Sequence, residues 1–173
     1  MNEIETLLER WANFYLLTAA AAATLIGLLF VVITLAAERM PQKDTPKIRV
    51  YLTPTVVYFA SVLAVAALLT FPNHTRLTAT LCICLAGVVG SLYSATSLVG
   101  ADKKLFEELH DRIAYAIVPF AAYALFVLGG LLILHHPQHG LTLVAVGMLS
   151  LLAVAIRNSW AIAITVVSTP PKG

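Results

Sequence analysis

Five apolar stretches separated by short polar breaks account for most of the chain. They run from Trp11 to Ala37, Val50 to Phe71, Leu77 to Gly100, Ile113 to Leu134 and Leu141 to Val167. A helix needs about 20 apolar residues to cross a bilayer, and each stretch meets or approaches that length. The pattern predicts an all-α polytopic membrane protein: residues 1–173 as a single transmembrane domain, a bundle of five transmembrane helices. Two of the breaks are tight. Pro72-Asn-His-Thr-Arg76 and His135-His-Pro-Gln-His-Gly140 carry proline or glycine as breakers, so the spans on either side of each should form antiparallel hairpins. The break at 101–112 is longer and charged. Its Leu105, Leu109 and Ile113 share a helical face, and Glu108 and Arg112 are spaced as an i,i+4 ion pair. It reads either as an extension of the fourth helix or as a docking surface for a soluble protein partner.

Small residues mark seams within two of the spans. Ala19, Ala23 and Gly27 recur every four residues in the first, as do Ala86, Gly90 and Ser94 in the third, with Gly87, Ser91 and Ala95 beside them. Such rows let helix backbones approach closely in lipid, within one chain or between copies in a homo-oligomer.

Composition and charge sharpen this picture. The chain is 60% hydrophobic and only 12% charged, with a mean hydropathy of +0.87, against roughly 25% charged residues in soluble domains. A net charge of +2 without a basic patch gives no footing for nucleic-acid binding. The positive charges are asymmetric. Arg39, Lys43, Lys47, Arg49, Lys103, Lys104, Arg112 and Lys172 fall on one side of the predicted bundle, and only Arg10 and Arg76 on the other. The positive-inside rule therefore places the N-terminus outside and the C-terminus in the cytoplasm. Trp11 and Tyr15 at the outer level, with Tyr51 and Trp160 at the inner one, fit the aromatic belts. The acidic N-terminal residues lack the basic region of a cleaved signal peptide, so the first stretch should remain in the mature protein. Cys82 and Cys84 lie two apart on a helix, point to different faces and read as small hydrophobes.

The candidate chemistry begins with Arg157 and Asn158, which interrupt the fifth stretch. A charge inside a membrane-length segment is expensive and wants partners from neighbouring helices. If the fourth and fifth spans fold about Gln138, Arg157 lies level with Pro119. Pro119 has no N–H, so the carbonyl of Tyr115 is left free for Arg157 or Asn158 to donate to. Asp111, Tyr115, Pro119 and Tyr123 form a stripe at intervals of four. Thr53, Pro54, Thr55, Tyr93, Ser94 and Ser97 fall in the same inner half. The layer reads as internal glue, as a snorkelling arginine, or as a site for an anion, a lipid headgroup or a small polar solute. Four histidines, His74, His135, His136 and His139, share the outer turns. Imidazole suits zinc, copper, iron and nickel, but no cysteine or carboxylate within the turns completes a set, and interfacial turn histidines are the plainer reading. No phosphate loop, dinucleotide fingerprint, zinc-protease or serine-hydrolase motif occurs, no carboxylate lies mid-span, and no cofactor is implied.

The stretches Ala22-Ala-Thr-Leu-Ile-Gly-Leu-Leu-Phe-Val-Val-Ile-Thr-Leu35, Tyr51-Leu-Thr-Pro-Thr-Val-Val-Tyr-Phe-Ala60, the Asp111–Tyr123 stripe and Ile156-Arg-Asn-Ser-Trp160 resemble signatures of a group of small bacterial integral membrane proteins of unknown function. The resemblance implies a multi-pass protein of the bacterial inner membrane and brings no activity with it. Ala161 stands where the resemblance leads one to expect an acidic residue. The expected function is that of a non-enzymatic accessory or lipid-associated bundle. The alternative is a small oligomeric channel or transporter for an anion or small polar solute.

Overall fold

The structure, a computed structural model, describes residues 3–39, 45–100 and 117–168. They form five helices and no strand: α1 (Glu3–Arg39), α2 (Thr45–Leu69), α3 (Arg76–Gly100), α4 (Val118–Ile133) and α5 (Pro137–Ser168). Helices α1, α2, α3 and α5 are long and apolar enough to cross a membrane, and the described part of α4 is a shorter apolar helix. The 101–112 segment, with its predicted helical face, lies outside the described residues, as do Asp111 and Tyr115.

The helices start where end chemistry favours them. Glu3 and Glu5 occupy the first turn of α1, where carboxylates oppose the positive end of the helix dipole. The helix therefore begins well before the apolar stretch at Trp11. At α3, Thr75 and Thr78 satisfy one another's backbone: the Thr78 N–H donates to Thr75 Oγ1 at 3.1 Å and the Thr75 N–H to Thr78 Oγ1 at 2.9 Å. That is a capping box built with a threonine in the third position. Pro137 opens α5, a position where its missing N–H costs nothing. Threonine and serine hydroxyls within the spans bond back to their own helix, as Thr18 does to Phe14 O at 2.9 Å.

We call the end with the α2–α3 and α4–α5 turns the turn end, and the opposite one the linker end. Two residues clamp the turn end. His74 Nε2 lies 2.7 Å from Leu68 O, and its Nδ1 lies 3.3 Å from Thr78 Oγ1. It thereby ties the last turn of α2 to the first of α3, around Asn73 with φ 64°. Arg76 pairs with Glu3 and donates to Leu134 O at 3.1 Å, joining α1, α3 and the end of α4.

Chain order is not packing order. α4 lies between α3 and α5, and α5 also packs on α2 and α1. α2 packs mainly on α1 and α5 and touches α3 little, although a short turn joins the two. The centre is α5: 56% of its span is buried, against 17% for α1. Glycines set the closest approaches. A Cβ at Gly87 would lie 2.9 Å from the Tyr123 carbonyl oxygen, and one at Gly90 only 2.1 Å from the Tyr123 ring. On the other side of α4, a Cβ at Gly140 would come within 2.6 Å of Gly129 O and one at Gly147 within 2.8 Å of Ala122 O. The third-span seam thus packs within the chain. The first-span seam is split: Ala19 packs against the larger core cluster, whereas Ala23 is exposed and nothing lies within 4 Å of a Cβ at Gly27.

Candidate functional site

The buried apolar side chains fall into two clusters. The larger extends from Ile4 and Leu8 at the turn end through Phe59, Tyr123, Phe126 and Met148 to Ala155. The smaller, nearer the linker end, contains Leu29, Ala36, Ile162 and Val166. On α5 the residue between Ala155 and Ile162 that turns inward is Asn158, 2% exposed. On α2, Thr55 is fully buried between Leu52 of the smaller cluster and Tyr58 of the larger. The polar layer expected from the sequence therefore sits where the apolar core divides.

Its membership differs from the expectation. Arg157 is exposed and Asn158 is the inward residue. Successive helix residues are about 100° apart, so Asn158 on the inner face turns Arg157 toward the flank. Thr53 is exposed as well, for the same reason relative to Thr55. Pro119 is buried, but it is not level with Arg157. Gly140 meets Gly129 and Gly147 meets Ala122, so the hairpin folds about His135 rather than Gln138. The level of Arg157 then lies about six residues, ~9 Å, before Pro119, among residues outside those described. The expected bond to the Tyr115 carbonyl falls there too. Arg157 and Asn158 lie about 30 Å along α5 from Pro137, which is about the thickness of a bilayer's hydrocarbon core.

Nearer the middle, α2 and α4 share a hydrogen-bonded chain. Tyr123 Oη and Ser61 Oγ are 2.8 Å apart, and Ser61 Oγ donates to Val57 O at 2.8 Å. The Tyr58 and Tyr123 rings are 6.4 Å apart and tilted by 58°. Tyr93 is half-buried against the larger cluster, one turn from Gly90. Three buried polar atoms among the described residues have no partner: Tyr15 Oη, Ser94 Oγ and Asn158 Nδ2. Ser94 is 2% exposed, and because Gly90 meets Tyr123 it lies near the level of Val118 and Pro119, about six residues, ~9 Å, nearer the turn end than Asn158. A buried amide and a buried hydroxyl with bonds to spare can each hold water or a small polar molecule at its own level. Tyr15 and Ser61 carry polar atoms at depths outside the layer expected from the sequence. Their signal is there to be read: Tyr15 lies between Asn13 and Thr18, and Ser61 follows Tyr58 by three residues.

The histidines separate. His74 is buried with both ring nitrogens engaged in the α2–α3 clamp, so it is a structural residue. His135, His136 and His139 are exposed around the α4–α5 turn, with the His136 and His139 rings 6.1 Å apart and perpendicular. Among the described residues no three His, Cys, Asp or Glu side chains come together as a metal site. No protein-family model matches the chain, and no curated protein or solved structure does either.

Proposed function

We propose that all five helices cross the bacterial inner membrane, with the turn end outside, and that the protein is a non-enzymatic accessory or lipid-associated bundle. The observation that carries this reading is the division between interior and flank. At mid-depth the interior is filled by Phe59, Tyr123, Phe126, Met148 and Leu151, each under 2% exposed. The flanks of α1 and α3 present Leu16, Leu17, Leu28, Phe30, Leu81, Leu85 and Leu92 outward. Such surfaces suit acyl chains or a larger apolar partner, and a filled interior suits no conduit. Trp160, 69% exposed, stands beside Arg157 near the inner boundary, as an interfacial anchor would. The excess of Lys and Arg in the two linkers supports the orientation. The likeness of several stretches to small bacterial membrane proteins supports the compartment.

A second reading rests on the unpartnered Ser94 Oγ and Asn158 Nδ2. In it, copies associated through the open Ala23–Gly27 part of the α1 seam pass an anion or small polar solute along the inner polar layer.

Fusion of a cytoplasm-active reporter after Gly173 should give activity, and insertion of the same reporter at Gln138 should give none. The opposite pattern rejects the topology. Purified protein that is monomeric, or that co-purifies with a larger complex, and that gives no salt flux in liposomes fits the first reading. An oligomer that conducts fits the second.

A further inference from the structure

We propose that the turn end carries a binding site for a phosphate group, in the groove between the first turns of α1 and the α4–α5 turn. The groove has a volume of about 500 Å³. Arg10 lines it from α1, and His135, His136 and His139 line it from the turn. One permanent cation thus shares the groove with three imidazoles, each of which carries an N–H to donate. Glu3 is the carboxylate at the rim, and it is occupied by Arg76. The next two carboxylates of α1, Glu5 and Glu9, line a different cavity, against the α2–α3 turn. The negative charge of α1 is therefore either neutralised or turned away from this groove.

Backbone chemistry points the same way. α5 begins in the groove with Pro137 and runs for 32 residues. Gly140 N–H donates back to His136 O, whereas the N–H groups of Gln138 and His139 belong to a first turn that has no helical acceptors. Both residues line the groove. Unpaired N–H groups at the positive end of a long helix attract an oxyanion. The His136 and His139 rings, 6.1 Å apart, are too distant to bond each other and near enough for one tetrahedral oxyanion to accept from both. Donors of this kind, with the nearest carboxylate already paired, suit an anion better than a metal ion. The groove is larger than a bare phosphate, and Arg10 in its wall immediately precedes Trp11 in α1. Tryptophan favours the headgroup level of a bilayer. The ligand is then a phosphate ester or free phosphate, and the nearest supply of esters is phospholipid headgroups. The site does not depend on which way the bundle faces.

The experiment uses the full chain in maltoside micelles, which contain no phosphate. At pH 6, inorganic phosphate or short-chain phosphatidylglycerol is titrated against sodium chloride of equal ionic strength, and thermal unfolding is followed. A saturating ligand should raise the melting temperature by about 3 °C. A rise with inorganic phosphate assigns free phosphate, and a rise with phosphatidylglycerol alone assigns the headgroup. Either rise should vanish in Arg10→Gln and in the double variant His136→Gln/His139→Gln. These side chains are all exposed, so the variants keep the fold. The rise should persist in Arg157→Gln, an exposed arginine about 30 Å along α5 from the groove. The proposal is overturned if neither ligand exceeds the chloride control, or if the rise survives in the Arg10 and histidine variants.

Discussion

Replacing Gly90 by alanine tests the packing of α3 on α4 most directly. The added Cβ would lie 2.1 Å from two atoms of the Tyr123 ring and 2.6 Å from a third. The ring cannot simply swing away. It is fully buried, its hydroxyl is bonded to Ser61 at 2.8 Å, and it packs edge-on against Phe126 at 5.9 Å. Overpacking of this kind costs about 1–3 kcal/mol, and displacing the ring from Ser61 adds about 1 kcal/mol for the lost hydrogen bond. Alanine returns up to ~1 kcal/mol of helix propensity. The net expectation is a loss of about 1–3 kcal/mol. At 2–4 °C per kcal/mol for a chain of this size, that is a fall of roughly 2–12 °C in melting temperature. Gly27 provides the internal contrast, because nothing lies within 4 Å of the point a Cβ would occupy there. Gly27→Ala in the monomer should be neutral or stabilising by up to ~1 kcal/mol. The assay is thermal unfolding of both variants in maltoside micelles. A Gly90→Ala protein as stable as the parent would refute the placement of Tyr123 over Gly90, and with it the α3–α4 register.

Three further substitutions probe the ends and the polar layer. The last turn of α4 tightens, with Leu134 N–H donating to Leu131 O instead of Gly130 O, and Thr80 Oγ1 takes the Gly130 carbonyl at 2.8 Å. Thr80→Val should therefore uncap a buried carbonyl and cost about 1–3 kcal/mol by thermal unfolding, and an unchanged melting temperature would count against that bond. His74→Ala should cost about 1–2 kcal/mol through the lost bonds to Leu68 O and Thr78. Because both its ring nitrogens are engaged, equimolar zinc should act alike on the parent and on His74→Ala, and a zinc-dependent rise that His74→Ala loses would contradict the clamp. Asn158→Leu removes an amide whose Nδ2 has no partner and bridges the two apolar clusters. It should leave stability unchanged or raise it by about 1–3 kcal/mol. Loss of stability would show that a polar partner occupies the layer and would favour the solute-handling reading.

The hydrophobic pattern makes the helices and the two tight hairpins legible, because in a membrane-length segment burial and backbone bonding both demand a helix. It does not carry the arrangement of those helices. Apolar side chains face lipid and core alike, so periodicity says little about neighbours. What decides them here is where side chains are missing. Gly129 and Gly130 on α4 face opposite neighbours, Gly129 meeting Gly140 of α5 and Gly130 meeting Cys84 of α3. A glycine pair inside an apolar run marks a helix with two close partners, and α4 is the helix that has them. The splaying of α2 from α3 leaves no trace in the turn. His74, Asn73 and the Thr75–Thr78 box set the direction of the chain without setting how closely the two helices touch.

The polar layer is legible as composition and misplaced as geometry. The depth error comes from Pro137. A turn centred on Gln138 leaves out its fixed φ and missing N–H, which make it a helix starter. Moving the pivot to His135 shifts every level on α4 by about six residues against α5 and takes Arg157 away from Pro119. The inward residue is then chosen by face. Leu151, Ala155, Asn158 and Ile162 recur at the spacing of one buried helical stripe, and Arg157 falls outside it. An arginine beside that stripe, about 30 Å from the turn end, needs no buried counter-charge, because a chain spanning the bilayer places it at headgroup depth. The residue that does need an explanation is Asn158. Leucine would join the two apolar clusters into one, and an amide there leaves them divided. Packing among the described residues gives its Nδ2 nothing to bond to, and the Asn158→Leu variant distinguishes a held partner from none.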